Sequence, residues 1–344
     1  MKFVLIMQKT IQFITAFCLL FFLCSNVSQP GIYNGGGMAF SMLFPEDSLA
    51  YKKVQMQEEQ IYIQLYKGYA VVKGRYKMVN TSTEELSFKM GYPIKGIYYG
   101  GAAMANEVEL DSIYKFKVKS NGTDLKINQR HFDEEKAAHV MTFSNQNWLT
   151  WQMDFLPNAI NFIEVYFIVN TNNAKVAKGY NRRDTNAFVY LLESGSVWKQ
   201  PIEKGTFLIE LKDNLKLEAI TGISGHFNFK QYAQENILLG TKTNFSPTPK
   251  DNLIVTYSEV IENFDFQTLL TTDNELYSSI DQLSSKPLSK NLEPFQAKNP
   301  YEVNATITGY LPLISTLLVL YLPYLLVGIL VVFVLRFFYK KRKT

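Results

Sequence analysis

Three histidines, four acids near one another in sequence and one tryptophan-centred loop carry the side chains with reactive or ligand-binding chemistry. His131 and His139 stand eight apart with Asp133 and Glu134 between them, and His226 is isolated. That spacing does not match the H-E-x-x-H pattern of a helical zinc site, so the histidines read as surface residues and no metal is expected. No other sequence feature points to a Ser-His-Asp arrangement. Asp133, Glu134, Asp154 and Glu164 offer the carboxylates from which a glycosidase pair would be drawn. Acids on strand faces ordinarily meet water. Cys18 and Cys24 are the two cysteines, both close to the N-terminus. Beyond them the chain offers no thiol nucleophile, disulfide or cysteine-zinc site.

Aromatic residues supply the candidate binding groups. Tyr190 to Ile202 (YLLESGSVWKQPI) runs from a strand into Ser194-Gly195-Ser196, then to Trp198 and Pro201. Gly195 permits a sharp turn, Pro201 stiffens the exit and Trp198 covers a large apolar area. As packing, Trp198 would plug a core between sheets. As function, it would join an exposed platform for a glycan or peptide. Tyr98 and Tyr99, beside Gly100 and Gly101, could stack on a ligand or anchor a loop. The triplet Gly35-Gly36-Gly37 lacks the Lys-Ser/Thr of a phosphate cradle and reads as linker.

Strands must position these groups. Ile61, Ile63 and Leu65 alternate with Tyr62, Gln64 and Tyr66; Val72, Gly74, Tyr76 and Met78 alternate with Lys73, Arg75 and Lys77. A period of two puts one set on a core and the other in water. Asn80 to Thr83 forms a turn, and Leu86, Phe88 and Met90 resume the pattern. Pro93 to Ala105 has no period and reads as a loop. Tyr114, Phe116 and Val118 alternate with lysines up to Asn121-Gly122, the φ > 0 pair of a tight hairpin that returns through Leu125 and Ile127. Trp148 to Phe155 and Ile160 to Val169 are the strongest strands. A polar loop follows (Thr171 to Thr185), then strands at Phe188–Leu192, Phe207–Leu211, Leu215–Ile220 and Leu253–Tyr257. Short strands with turns between them predict a mainly β fold: an antiparallel β-sandwich over 45–263, one large or two tandem. Gln267 to Leu283 suggests a short amphipathic helix using Leu276, Ile280 and Leu283. Ser284 to Pro300 reads as a stalk, completing a helix-and-stalk segment over 264–309.

Both ends are apolar. Lys2 and Lys9, an apolar run Ile11–Leu23 and Asn26-Val27-Ser28 have the grammar of a signal peptide over 1–28. Lipidation at Cys24 and an uncleaved first span are the alternatives. A Gly-rich segment over 29–44 leads into the domain. Tyr310 to Leu335 holds no charge, which suits a transmembrane helix; Leu311, Leu325 and Val331 represent its apolar body. Arg336, Lys340, Lys341, Arg342 and Lys343 follow in a basic tail over 336–344 that predicts a cytoplasmic C-terminus and an extracytoplasmic domain. Pro323 predicts a kink. The chain carries +4, of which 1–28 hold +2 and 336–344 hold +5, leaving the exported part at −3. Its basic balance therefore gives no ground for nucleic acid binding.

The strands around Gly74 to Asn80, the Gly195-x-x-Trp198-x-x-Pro201-Ile202 stretch and Asn244-Phe245-x-Pro247-Thr248 resemble an uncharacterised bacterial family of exported, membrane-anchored β-rich domains. The likeness covers most of Met38 to Tyr257; Gln200 stands where that family commonly has glycine. The resemblance implies a fold and a location, and no reaction. Together these readings predict a non-enzymatic, single-span binding or assembly protein of the cell envelope, with the membrane and an envelope protein or glycan as partners and no cofactor. A membrane-tethered glycan hydrolase and a subunit of an envelope complex are the alternatives. Asn80, Asn121, Asn244 and Asn304 fit the N-glycosylation pattern.

Overall fold

The computed structural model describes residues 48–93, 96–99, 106–110, 113–131, 147–172, 174–178, 181–223, 227–248, 251–288, 291–297 and 307–341. The expected signal and Gly-rich segments, Asp133, Glu134, His139, His226, Asn304, Arg342 and Lys343 lie outside the described residues.

A single helical turn, α1 (Ser48–Tyr51), precedes strands β1 (Val54–Tyr66), β2 (Tyr69–Asn80), β3 (Leu86–Pro93) and β4 (Gly96–Tyr99). Next come β5 (Asn106–Leu110), β6 (Ile113–Ser120), β7 (Thr123–Asp124), β8 (Asn128–His131) and β9 (Asn147–Phe155). They are followed by β10 (Ile160–Asn170), β11 (Ala174–Lys178), β12 (Asn181–Tyr190), β13 (Ile202–Leu211) and β14 (Ile220–Ile223). The chain continues through β15 (Lys230–Tyr232), β16 (Ile237–Phe245), β17 (Leu253–Tyr257), α2 (Phe266–Leu269) and α3 (Asp273–Ser285). It ends with β18 (Glu293–Pro294) and the long helix α4 (Ile307–Lys341). The fold is mainly β, as its alternating pattern predicts.

Three sheets form. The largest has nine strands in the order β18-β15-β16-β13-β1-β2-β10-β6-β7; the others are β14-β17-β12-β11-β5-β4 and β3-β9-β8. The large sheet is mixed rather than antiparallel, because β1 and β13 run parallel from Glu58–Lys204 to Leu65–Leu211. Strands drawn from Val54 to Pro294 interleave in it, so the chain does not divide into two consecutive sheets.

The β1–β2 pairing follows the expected alternation, with Ile61 opposite Gly74 and Ile63 opposite Val72. Ile61, Ile63 and Leu65 are fully buried. The opposite face does not meet water as expected: Gln64, Tyr66 and Lys73 are buried too. The cause is α3. Its Tyr277 and Ile280 pack with Tyr66, Val71, Tyr166 and Ile168, while Leu283 joins Leu208, Tyr232 and Ile237. Polar groups on that face are satisfied by the helix. Gln64 Nε2 donates to Ser279 Oγ at 3.1 Å, and Lys73 Nζ to Asp281 Oδ1 at 2.6 Å. The expected helix is thus folded onto the domain, and within the expected stalk β18 pairs Glu293 and Pro294 with β15.

Other expectations need smaller corrections. β4 lies within the stretch expected to be a loop, and β11 and the start of β12 occupy the expected polar loop. Leu217–Ala219 is a 3₁₀ turn rather than strand, and β14 begins at Ile220. The Asn121-Gly122 turn forms as expected, with φ of 48° and 84°, although its return strand β7 has only two residues. Tyr310 to Leu335 falls inside α4, which runs unbroken through Pro312 and Pro323. Leu311, Leu325, Val331, Arg336, Lys340 and Lys341 all lie on this helix.

Candidate functional site

The site with the most unusual chemistry was not among the sequence candidates. On β1 the inward parity of Ile61 and Ile63 extends back to Glu59, whose neighbours in register are Tyr76 on β2 and Gly205 on β13. Glu59 is 4% exposed. β12 of the six-stranded sheet ends above it and delivers Tyr190, whose hydroxyl donates to Glu59 Oε1 at 3.1 Å. The Tyr190 and Tyr76 hydroxyls are 2.7 Å apart. Since the Tyr190 proton is committed to Glu59, Tyr76 must be the donor in that contact. A directed chain therefore runs from Tyr76 through Tyr190 to Glu59.

Local sequence explains how Tyr76 reaches this place. Its ring folds back along β2 over Gly74, and a Cβ there would collide with the phenol oxygen. Glycine is needed for that close approach. Gly205 gives similar relief on the other side of Glu59, where a Cβ would meet Phe245 and Phe207 at 3.0 and 3.1 Å.

Burial dominates the electrostatics. It pushes the Glu59 carboxyl up to about 7, against a smaller opposing effect of the Tyr190 hydrogen bond. Burial also raises Tyr76, Tyr190 and Tyr92, and the Glu59 charge adds to the rise in each. Glu59 Oε2 and the Trp151 indole Nε1 are buried with no hydrogen-bond partner among the described residues. A carboxyl in this setting can hold or release a proton near neutral pH, which is its one evident chemical capacity. Among the described residues no three His, Cys, Asp or Glu side chains gather as metal ligands.

Tyr190→Phe should test the chain. The variant removes the one donor that favours ionised Glu59, so the carboxyl should titrate at still higher pH. Stability at neutral pH should fall by about 1 to 2 kcal/mol, the cost of leaving a buried acceptor unpaired. Denaturant melts compared across pH would read both effects; an unchanged pH profile would show that Tyr190 does not govern Glu59.

The sequence candidates are dispersed. Trp198 is buried at the edge of an aromatic cluster, its ring 5.5 Å from Tyr51 and 6.2 Å from Phe88. Its place corresponds to the packing reading. Gly195 lies in a 3₁₀ helix, Leu192–Val197, where a Cβ would meet Ile202 at 3.0 Å. Pro201 is exposed after a cis Gln200–Pro201 bond, and its carbonyl accepts from Gln55 Nε2 at 3.0 Å. The sequence motif thus brings Trp198, Gly195 and Pro201 into one segment. Tyr98 and Tyr99 lie elsewhere, on β4, an end strand of the six-stranded sheet. His131 ends β8.

Of the four candidate carboxylates, Asp154 and Glu164 are among the described residues, and they lie on different sheets. Asp154, on β9, accepts from Ser87 Oγ at 2.5 Å. Glu164, on β10 of the nine-stranded sheet, lies 3.3 Å from Lys73 Nζ. Each is engaged on its own sheet.

No family model matches the chain, and no named family contradicts the resemblance to an uncharacterised one. No curated protein matches it either. Among solved structures it is similar to a protein assigned as nutrient-binding from Legionella pneumophila, at 14% identity over 60% of this chain and 67% of that one, with a TM-score of 0.41. The M1 zinc metallopeptidase of Deinococcus radiodurans is 11% identical over 60% of this chain and 42% of that one, at a TM-score of 0.30. Yeast LTA4 hydrolase in complex with bestatin is 10% identical over 60% and 29%, at 0.31. The chain spans less than half the length of these two enzymes.

Proposed function

We propose that this is a single-span membrane protein whose β domain stands on the extracytoplasmic side and works by binding or assembly with a component of the cell envelope. The observation that carries this reading is α4. Its segment Ile314–Arg336 is 23 residues long, carries its charge only at the end, and is apolar enough to cross a membrane, with none of that segment buried against protein. Leu318, Val319, Val327 and Leu330 are each more than half exposed. So much open apolar surface on one helix calls for a non-aqueous partner, and lipid fits its length. The cations from Arg336 onward favour a cytoplasmic end. In this reading the six- and three-stranded sheets layer on the large sheet as a sandwich.

The binding surface fits β4, an end strand of its sheet among the described residues. Among the described residues this strand pairs only with β5, from Gly96–Leu110 to Tyr99–Glu107. An end strand can accept a further strand through its backbone donors and acceptors, and this one carries Tyr98 and Tyr99 in sequence. The test has two parts. A chain ending before Ile307 should be soluble and melt cooperatively, whereas the full chain should need detergent; an insoluble or unfolded fragment would refute the anchored-domain reading. Tyr98→Lys with Tyr99→Lys should preserve fold and membrane location and abolish the adduct formed by cross-linking in intact cells. Retention of the adduct would remove β4 as the binding edge.

A further inference from the structure

The chain leaves the β domain at the outer rim of its largest sheet. β18 pairs with β15 through Pro294–Lys230 and Glu293–Gln231. Gln231 Nε2 donates to Glu293 Oε2 at 3.3 Å, and the Phe295 N–H to the Phe229 carbonyl at 3.1 Å. Among the described residues ahead of α4, Phe295 is the last one bonded to the sheet in this way. Helix α4 opens at Ile307, so only residues 296–306 lie between them.

That length limits where the domain can stand. Whatever its conformation, a stretch of this length reaches at most about 40 Å. Across the nine-stranded sheet, eight inter-strand steps separate β18 from β7. At the usual strand spacing this is a further distance of about 40 Å. The tether therefore holds the β15–β18 rim within that reach of the bilayer, while β7 stands at the far end of the sheet.

We infer that the β15–β18 rim is the surface the domain turns to the lipid headgroups, an inference that rests on α4 being a span. The rim's composition agrees. Lys230 is exposed on β15, and Leu292, next to β18, is 36% exposed. An ammonium and an apolar side chain on one rim suit a phosphate-rich interface, and the exposed Glu293 carboxylate there accepts from Gln231 Nε2. Pro294 has no N–H to offer to a further strand, so this edge is blunted against strand addition. Lipid therefore fits the rim better than another β-strand does.

The experiment uses the full chain with Cys18→Ser and Cys24→Ser, reconstituted in phosphatidylethanolamine–phosphatidylglycerol vesicles carrying a headgroup energy acceptor. A donor dye is placed through Lys230→Cys in one sample and Thr123→Cys, on β7, in another; both native residues are exposed. Transfer from position 230 should exceed that from position 123 several-fold. A Gly/Ser insertion after Pro300 that doubles the linker should reduce it. Protein that fails to float with the vesicles would refute the span and the rim together. Protein that floats but transfers equally from both positions, or more from 123, would overturn the rim alone.

Discussion

At about pH 8, Glu59→Gln raises the unfolding free energy by about 3 kcal/mol, while at about pH 4 it leaves stability almost unchanged. The sign follows from where the proton is held. Burial lifts Glu59 from its ordinary 4.5 to about 7. Between those values the folded chain keeps a proton that the unfolded chain has released, so stability declines as pH rises through this window. Below it both states are protonated and nothing is lost; above it the loss is complete and constant. A shift of this size corresponds to about 3 kcal/mol. Glutamine keeps an acceptor for the Tyr190 hydroxyl and carries no charge, so the variant avoids the loss. Urea melts of both proteins in detergent at several pH values would give the difference curve. A flat difference across that range would mean that Glu59 is paired or hydrated in the folded protein.

This carboxyl also shows how far the sequence could be read. The period of two that placed Ile61, Ile63 and Leu65 inward also places Glu59 inward, one step earlier. An acid at a core position is overlooked when parity is used only to collect apolar residues. β1 makes the error easy, because its register with β2 slips between Met56 and Glu58 and disrupts the pattern at that point. The strands that were legible, β1, β2, β9, β10 and β17, have clear alternation or continuous apolar runs. β4, β11 and the start of β12 were not. AKVAK and NRRDTN carry too little apolar character to signal a strand, and their pairing comes from neighbours distant in sequence. The parallel β1–β13 contact is likewise invisible locally, since the chain passes through two other sheets between those strands. Lys73 and Gln64 looked solvated for a related reason. What buries them is α3, some 200 residues further along.

Asn80→Ala should cost about 3 kcal/mol, more than a surface turn residue would. The Asn80–Thr83 turn forms as the sequence indicates, yet Asn80 itself is fully buried. Its Nδ2 donates to the carbonyls of Glu84 and Phe155 at 2.7 and 3.0 Å. Its Oδ1 accepts from the Ser82 N–H and Oγ at 3.0 and 2.8 Å. One side chain thus closes the β2–β3 turn and ties it to the end of β9. Water can replace the partner at Glu84, which is exposed, and can reach Ser82, which is half-buried. The Phe155 carbonyl is bonded in a buried setting, and leaving it unpaired supplies most of the cost. Asn80→Asp separates donor loss from size: an ionised carboxylate cannot donate to either carbonyl, whereas its protonated form recovers one donor. Its destabilisation should therefore exceed that of alanine near neutral pH and shrink as pH falls, and a pH-independent penalty would refute the donor role. The same geometry decides among the glycosylation patterns. The Asn80 amide is committed in the folded state, so modification in a glycosylating host should fall on exposed Asn244 and spare Asn80.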